Sequence, residues 1–331
     1  MPFLQKKLDK YNLRYIPCYM AVKTLSLKPK NSSYFKRSWM LYAMLVLPIG
    51  FFVLFRYVPM TNIVMAFKDY NIFQGVWSKG SPWVGMKYFQ RAFSSRDFLL
   101  AVRNTLWLNF LDLLMGFPAP IILALLLNEL IFKRFKKVTQ TLIYLPHFLS
   151  WIIISSMATR LLSPASGVIN IFLIEKIGIG PIDFLMDKSK WIMTYIFFGV
   201  WKEMGWGTII YLAAITAINP ELYEAAEVDG AGRWRKLWHI TLPGIRSTII
   251  VLLIMSIGRI LGIELDRPYT MMNNMVIEVA DVLSTFVYRV GIRSFQYSYS
   301  AAIGLFQSVV CVIFLVAANT TAKKFGERGI W

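Results

Sequence analysis

Polar side chains interrupt several long apolar stretches of this chain. Asn109 and Asp112 lie three residues apart in one stretch, so a helix would present both on one face. Such groups are costly in apolar surroundings and are candidates for contact with a polar ligand, above all beside aromatic rings, as in sugar sites. The candidates are Asn109, Asp112, Glu203, Trp206, Tyr211, Arg259, Glu264 and Arg267. The charged candidates could instead form ion pairs between helices.

The composition indicates that the apolar stretches lie in a membrane. Of the 331 residues, 56% are hydrophobic and 16% charged, and the mean hydropathy is +0.52. A membrane-spanning helix needs roughly 20 mostly apolar residues. Six stretches meet this requirement: 39–58, 100–128, 138–162, 191–217, 247–265 and 298–320. The sequence therefore predicts an all-α, multi-pass membrane protein with six transmembrane helices.

The formal net charge of +18 comes from basic residues that flank these stretches. They precede the first stretch, follow the sixth and fill the second and fourth links, so the positive-inside rule places both termini in the cytoplasm. The charge is therefore explained by topology, and no nucleic-acid partner is expected. The predicted organisation is a basic tail 1–37, a six-helix domain 38–322 and a tail 323–331.

Two of the stretches contain residues that interrupt helices. The second contains Gly116, Pro118 and Pro120, and the third contains Pro146. Each proline removes a helix hydrogen bond or introduces a kink. In lipid, such breaks persist only where protein or a wet cavity satisfies the backbone, so a packed kink and a cavity lining both remain open.

The fourth link, residues 220–243, is too polar for lipid and has the pattern of two short helices. Asn219-Pro220 would start the first helix, and Gly230 would allow a sharp turn into the second. We expect the second helix to run from about residue 233 to 240 and to end at Leu242-Pro243. Such a pair could dock in the groove of a partner protein or lie on the membrane surface.

Three runs in this link have a specific spacing: Glu224-Ala225-Ala226, Asp229-Gly230 and Ile240-Thr241-Leu242-Pro243. They resemble the EAA motif of the permeases of binding-protein-dependent ABC importers. Two further runs, Tyr144-Leu145-Pro146-His147 and Trp201-Lys202-Glu203, look like the polysaccharide branch of the maltose-type carbohydrate permeases.

The resemblance implies a type I ABC importer permease in a bacterial cytoplasmic membrane, surrounded by membrane lipid, with an oligosaccharide as substrate. It also implies a second permease subunit, two ATPase subunits that bind ATP and Mg, and an extracytoplasmic solute-binding protein. This chain would be no enzyme and would bind no cofactor or metal. Segment 220–243 would be the coupling helix, with contacts from Glu224, Ala225, Ala226, Asp229, Gly230, Ile240, Leu242 and Pro243.

The sequence departs from the family pattern after Gly258, where Arg259 and Arg267 stand near the outer end of the fifth stretch. A guanidinium pairs with a carboxylate in a fork, so we hypothesise an acidic, uronate-type sugar.

Two other classes of function fit the sequence less well. An ion-coupled secondary transporter, with Asp112 and Glu203 as proton carriers, would leave the fourth link unexplained. An enzyme is not favoured, because neither His147 nor His239 stands in a catalytic pattern.

Overall fold

The computed structural model describes residues 31–262, 264–326 and 329–330, with side chains from residue 38 onward. In these residues every regular element is a helix, apart from an isolated antiparallel bridge between Lys68 and Trp83. The predicted all-α class is thereby confirmed. Most of the predicted basic tail, residues 1–30, lies outside the described residues, as do residues 327, 328 and 331 of the predicted C-terminal tail.

The chain divides into two compact units, residues 1–61 and 62–331. In the first unit, helix α1 (Asn31–Phe52) continues through a π-helical turn, Val53–Tyr57, into the short α2 (Val58–Met60). Large apolar side chains are exposed along this helix, and Leu47 is 79% exposed. This pattern is typical of a helix that contacts lipid or another subunit. The helix from Asn31 to Met60 includes the whole first predicted span, 39–58.

The second unit contains the remaining helices, and a 3₁₀ helix, Thr61–Phe67, crosses the boundary. Its α-helices are α3 (Lys87–Ser94), α4 (Arg96–Gly116), α5 (Pro118–Asn128), α6 (Lys133–Tyr144), α7 (Trp151–Leu162), α8 (Val168–Phe172), α9 (Lys188–Thr216), α10 (Pro220–Val228), α11 (Arg233–Lys236), α12 (Leu242–Ile257), α13 (Asp266–Met271), α14 (Ile277–Ala280), α15 (Leu283–Tyr288) and α16 (Tyr297–Lys324).

Helices lie at all six predicted stretches. Within the described residues, 4 helical stretches are long and apolar enough to cross a membrane, or up to 5 if a bent pair is one span. Helix α9 has 29 residues, but Lys202 and Glu203 in its middle lower its hydropathy. The number of crossings, six, therefore stays a prediction.

The third predicted span is broken where the sequence indicated. A 3₁₀ turn, Leu145–Phe148, follows α6, and Leu149 and Ser150 have extended backbone before α7 begins. The two halves are bent by 101°. Pro146 lies in the 3₁₀ turn, since it cannot donate a helical hydrogen bond, and the Ser150 hydroxyl caps the new helix by accepting from Ile153 N at 3.4 Å.

The link between the fifth and sixth predicted spans packs into the helix bundle rather than forming an open loop. Val276 and Val282, which precede α14 and α15, and Leu283, the first residue of α15, have fully buried side chains. Asn104 of α4 donates to the carbonyl of Asp281 at 2.9 Å, and the Thr105 hydroxyl accepts from Leu283 N at 2.8 Å. These bonds satisfy backbone groups that would otherwise be buried without partners.

The fifth predicted span ends earlier than expected. Helix α12 stops at Ile257 instead of residue 265, and the backbone turns at residues 258–261 before α13 begins. The turn lies against α4 and α16, whose side chains bond its carbonyl groups. Residues Arg259, Ile260 and Gly262 after α12 line the cavity described next, and a cavity lining is one of the settings in which a broken helix is tolerated within a membrane.

Candidate solute cavity and segment 220–243

A cavity of about 450 Å³ lies between α4, α5, α9, α12 and the turn that follows α12. Its lining includes all the sequence-predicted candidates except Glu264, which lies outside it: Asn109, Asp112, Glu203, Trp206, Tyr211, Arg259 and Arg267. The predicted residues come from three separate helices, α4, α9 and α13, and from the turn after α12, so the tertiary fold brings them together.

Side-chain amides satisfy the backbone at the break after α12. Asn109 donates to the carbonyl of Ile260 at 2.6 Å, and Gln307 of α16 donates to the carbonyl of Leu261 at 2.6 Å. Asn109 is thus committed in part to the scaffold. Sequence reasoning missed Gln307, although a glutamine inside the sixth apolar stretch is the kind of polar residue that pointed to Asn109.

Arg267 is held in a bidentate ion pair with Asp112. Its Nη1 lies 2.6 Å from Asp112 Oδ2, its Nη2 lies 3.1 Å from Oδ1, and Nη2 also donates to the carbonyl of Tyr195 at 2.6 Å. The two side chains are 13% and 26% exposed, so the pair is shielded from water. The sequence predicted Arg267 near the outer end of the fifth stretch, where it could meet a ligand. In the structure its side chain is instead largely buried against α4 and α9.

Aromatic rings and a glycine complete the surroundings of this arginine. The guanidinium carbon lies 3.7 Å from the centroid of the Tyr195 ring and 5.3 Å from that of Trp151. A Cβ at position 199 would lie 2.1 Å from Arg267 Nη2, so only glycine fits there. With its charge compensated and both Nη atoms bonded, Arg267 joins α13 to α4 and α9.

A second polar network joins α9 to the break in the third predicted span. Lys202 donates to the carbonyl of His147 at 2.5 Å, and Glu203 Oε2 lies 3.0 Å from His147 Nδ1. The imidazole stacks on Trp206 with ring centroids 4.5 Å apart and planes inclined by 3°. The network fixes the Trp206 indole, which is 45% exposed and lines the cavity.

Arg259 differs from the other charged residues of the cavity. It is exposed and lines the cavity, and its guanidinium has no hydrogen-bond or ion-pair partner within the described part of the chain. An unpaired guanidinium beside a polar cavity is suited to a carboxylate, because its two parallel N–H donors match the two oxygens.

Helix α10, the first half of segment 220–243, begins and ends with well-defined caps. The Asn219 side chain accepts from Glu221 N at 3.1 Å at the start of α10. At the other end, Ala231 N donates to Ala226 O at 2.8 Å and Gly230 N donates to Glu227 O at 3.0 Å. This is a Schellman motif, and Gly230 takes the left-handed position that it requires, with φ of 73°.

The second half of the segment corrects the prediction from the sequence. α11 does not end at Leu242-Pro243 but continues through a π-helical turn, Leu237–Thr241, directly into α12. Pro243 lies in the first turn of α12, and the π turn before it has its Leu242 N–H bonded to Leu237 O. The wider turn accommodates the proline, which lacks a donor and would crowd the carbonyl four residues back.

Two side-chain bonds fasten α10 to this continuous helix. The Tyr223 and Thr241 hydroxyl oxygens lie 3.0 Å apart, and Lys236 Nζ lies 2.5 Å from Glu227 Oε1. The hydrogen bond from Lys236, aided by its charge, lowers the pKa of Glu227 below its usual value.

The outer face of the segment is left exposed. Glu224, Ala225, Asp229 and Pro243 are exposed, whereas Ala226, Ile240 and Leu242 are partly buried. Val228 is 90% and Trp234 is 75% exposed. Exposed apolar side chains, here beside Glu224 and Asp229, which have no ion-pair partner among the described residues, are typical of a protein interface.

Comparison with known proteins identifies the family. Residues 116–325 match the model of the binding-protein-dependent transport system inner membrane component. The chain is 50% identical over 291 residues to the polygalacturonan/rhamnogalacturonan transport system permease protein YteP of Bacillus subtilis (strain 168), covering 88% of this chain and 90% of that protein.

Two solved structures have the same fold. A bacterial alginate ABC transporter, in complex with an alginate pentasaccharide-bound periplasmic protein, contains a chain with 40% identity and a TM-score of 0.82, covering 91% of this chain and 100% of that one. A bacterial ABC transporter involved in the import of the acidic polysaccharide alginate contains a chain with 41% identity and a TM-score of 0.81, covering 88% and 98%.

The helical fold, the polar residues of the cavity and the family match all indicate a membrane transport protein. The chain belongs to the family of inner-membrane components of binding-protein-dependent transport systems, and it is a transport permease of the ABC importer class rather than an enzyme.

Proposed function

We propose that this chain is one permease subunit of an importer that carries acidic, uronate-type oligosaccharides across a bacterial cytoplasmic membrane. The observation that carries the proposal is the exposed guanidinium of Arg259 in the cavity, with no partner in the described residues. A sugar carboxylate would supply the missing partner. The names of the relatives, which mention polygalacturonan and the acidic polysaccharide alginate, support the same substrate class.

The remaining cavity residues would take different parts. Trp206 offers an indole held by His147, against which the apolar face of a sugar ring can lie. Glu203 lines the cavity with 52% of its side chain exposed and can accept hydrogen bonds from hydroxyl groups. Asp112 and Arg267 would hold the wall of the cavity, because they neutralise each other.

The proposed assembly has this chain paired with a second permease subunit, so that the two form the pathway together. Two ATPase subunits would bind ATP and Mg on the cytoplasmic side, and an extracytoplasmic solute-binding protein would deliver the oligosaccharide. The family description and the neighbour solved with a periplasmic protein support such a complex. Both termini would lie in the cytoplasm, as the distribution of basic residues indicates.

The coupling role would belong to segment 220–243. Its exposed Glu224 and Asp229 can meet basic groups of an ATPase subunit, and exposed Val228 can enter an apolar cleft. Since α11 continues into α12, a push on the segment would pass along one helix to the turn that carries Arg259. This continuity supports a mechanical link between ATP hydrolysis and the cavity.

An ion-coupled mechanism has less support. Asp112 is paired with Arg267, and Glu203 lies 3.0 Å from His147 and 3.5 Å from Lys202, so neither acid stands alone as a proton carrier. The exposed cytoplasmic segment would also have no role in such a transporter.

The substrate proposal is tested by removing the positive charge of Arg259. In proteoliposomes with the whole complex and its binding protein, Arg259→Gln should lower uptake of an acidic oligosaccharide by about tenfold to a hundredfold, the range for losing hydrogen bonds to a charged group. Arg160→Gln, which removes an exposed arginine outside the cavity, is the matched control. Equal uptake by wild type and Arg259→Gln would overturn the proposal.

The coupling proposal is tested by ATPase activity in the same proteoliposomes. Glu224→Ala should abolish the stimulation of hydrolysis by the loaded binding protein. Glu175→Ala, an exposed acid in the predicted outer link 163–190, should leave stimulation intact. Full stimulation in the Glu224 variant would mean that the segment has another role.

A further inference from the structure

A second cavity, of about 450 Å³, lies on another face of the bundle, between α7 and α9. We call it the α7–α9 groove. Its lining is apolar apart from a threonine and a lysine: Met157, Leu161, Leu162, Ile169, Phe184, Lys190, Met193, Thr194, Phe197, Phe198 and Trp201. It shares no lining residue with the cavity that contains Arg259.

The groove follows one face of α9. Its lining residues on this helix stand at positions 190, 193, 194, 197, 198 and 201, which is the spacing of a single helical stripe. From Lys190 to Trp201 the helix rises about 16 Å, which is half of a hydrocarbon core about 30 Å thick. The groove thus has the depth of one leaflet.

The charged end of the groove lies at the start of α9, which we predict to be the outer membrane surface. Lys190 is exposed there, and its ammonium has no hydrogen-bond or ion-pair partner in the described residues. Its neighbour Lys188 is bonded to Glu278 instead. A cation at the interface above an apolar groove matches the charge arrangement of a phospholipid, with its phosphate above its acyl chains.

The charge at one end of the groove distinguishes a lipid from an apolar protein helix. A lipid phosphate would neutralise the Lys190 ammonium, whereas an apolar helix would bring it no counter-charge. A single acyl chain is narrow enough to lie between α7 and α9. It would cover Met193 and Phe197, which are 74% and 64% exposed.

We propose that the α7–α9 groove binds one phospholipid of the outer leaflet, with an acyl chain along α9 and the phosphate on Lys190. The acyl chain lies beside α7, the second half of the bent span, and so braces the bend against α9, the helix that carries Glu203. The assignment to the outer leaflet rests on the topology of the proposed function, whereas lipid binding itself does not depend on the substrate.

The test is native mass spectrometry of the complex, purified through a tag on this chain and titrated with phosphatidylglycerol in detergent. Wild type should retain one lipid per copy of this chain. Lys190→Gln should weaken retention about tenfold or more, as expected for loss of a charge-assisted bond, and Leu161→Trp, which fills the groove, should abolish it.

Matched controls keep the test specific. Lys176→Gln removes an exposed lysine of the same predicted outer link, and Ile152→Trp adds the same bulk on α7 at an exposed position outside the groove. Both should retain lipid as wild type does. Lipid retention equal to that of wild type in both Lys190→Gln and Leu161→Trp would overturn the proposal. Loss of a protein subunit, rather than of lipid, from Leu161→Trp would overturn it as well. Uptake of the acidic oligosaccharide by lipid-depleted wild type is measured in parallel. This uptake reports on the proposed substrate alone, so failure of the lipid proposal can be distinguished from failure of the substrate proposal.

Discussion

At the scale of single residues, the two arginines of the fifth predicted span and the following link have opposite roles. Arg267 is bonded on both Nη atoms and covered by rings, whereas Arg259 is exposed in the cavity. A buried charge that loses its partner is far more costly than an exposed charge that is removed. Stability and transport measurements therefore separate the two arginines.

Arg267→Ala should lower the free energy of unfolding by up to about 3 kcal/mol, because it leaves the partly buried Asp112 carboxylate without its partner. The thermal unfolding midpoint of the purified protein in detergent measures this. Arg259→Ala is the control and should change stability by less than about 0.5 kcal/mol. Adding Asp112→Asn to Arg267→Ala should restore part of the loss, and equal effects of the two arginine variants would contradict the assignment.

The bond between Lys236 and Glu227 should make segment 220–243 sensitive to acid. The pKa of Glu227 is lowered in the folded state, so its stabilising effect is fully present above the usual value of 4.5 and is lost as pH falls through the lower folded value. The protection factors of the α10 amides in hydrogen exchange should fall over that window. Glu227→Gln should show no such pH dependence, and an unchanged profile in this variant would refute the link.

At the scale of elements, the break after α12 depends on amides from two other helices. Asn109→Leu and Gln307→Leu should each lower the free energy of unfolding by about 1–3 kcal/mol, the cost of a buried carbonyl without a donor. Ser308→Leu, at an exposed neighbouring position of α16, should be close to neutral. Thermal unfolding in detergent distinguishes the three variants. An unchanged unfolding midpoint in Gln307→Leu would mean that water, rather than Gln307, donates to the carbonyl of Leu261.

The turn between α10 and α11 tests the left-handed glycine. Gly230→Ala forces a side chain into φ of 73° and should cost about 1–2 kcal/mol, so stimulated ATPase activity should fall. Gly232 has φ of −69° and open space around it, so Gly232→Ala should be tolerated. Similar ATPase activity in both variants would remove the Schellman turn from the coupling role.

At the scale of the whole molecule, the open question is the number of crossings. Single cysteines at Lys79 and Gly180, in a chain with Cys18 and Cys311 replaced by serine, should react with a membrane-impermeant maleimide in intact cells. Cysteines at Lys136 and Trp234 should react only after permeabilisation, since these links are predicted to be cytoplasmic. Labelling of position 136 from outside would contradict six spans with both termini inside.

The six apolar stretches, the polar link 220–243 and the polar candidates could all be predicted from the sequence. Hydropathy and basic flanks act locally, so residues such as Pro146 and Gly230 indicate a break and a turn without knowledge of their neighbours. The motif around Glu224 also pointed to the family that the comparison then established.

Only the tertiary structure decided what each polar residue does. Arg259 and Arg267 have the same side chain and stand eight residues apart, yet one is unpaired in the described structure and the other is held by Asp112, 155 residues away in the chain. The partner of a charge, the donor for a broken backbone and the room for a side chain at position 199 come from other elements. Their effects depend on distances in space, which spacing along one chain does not contain.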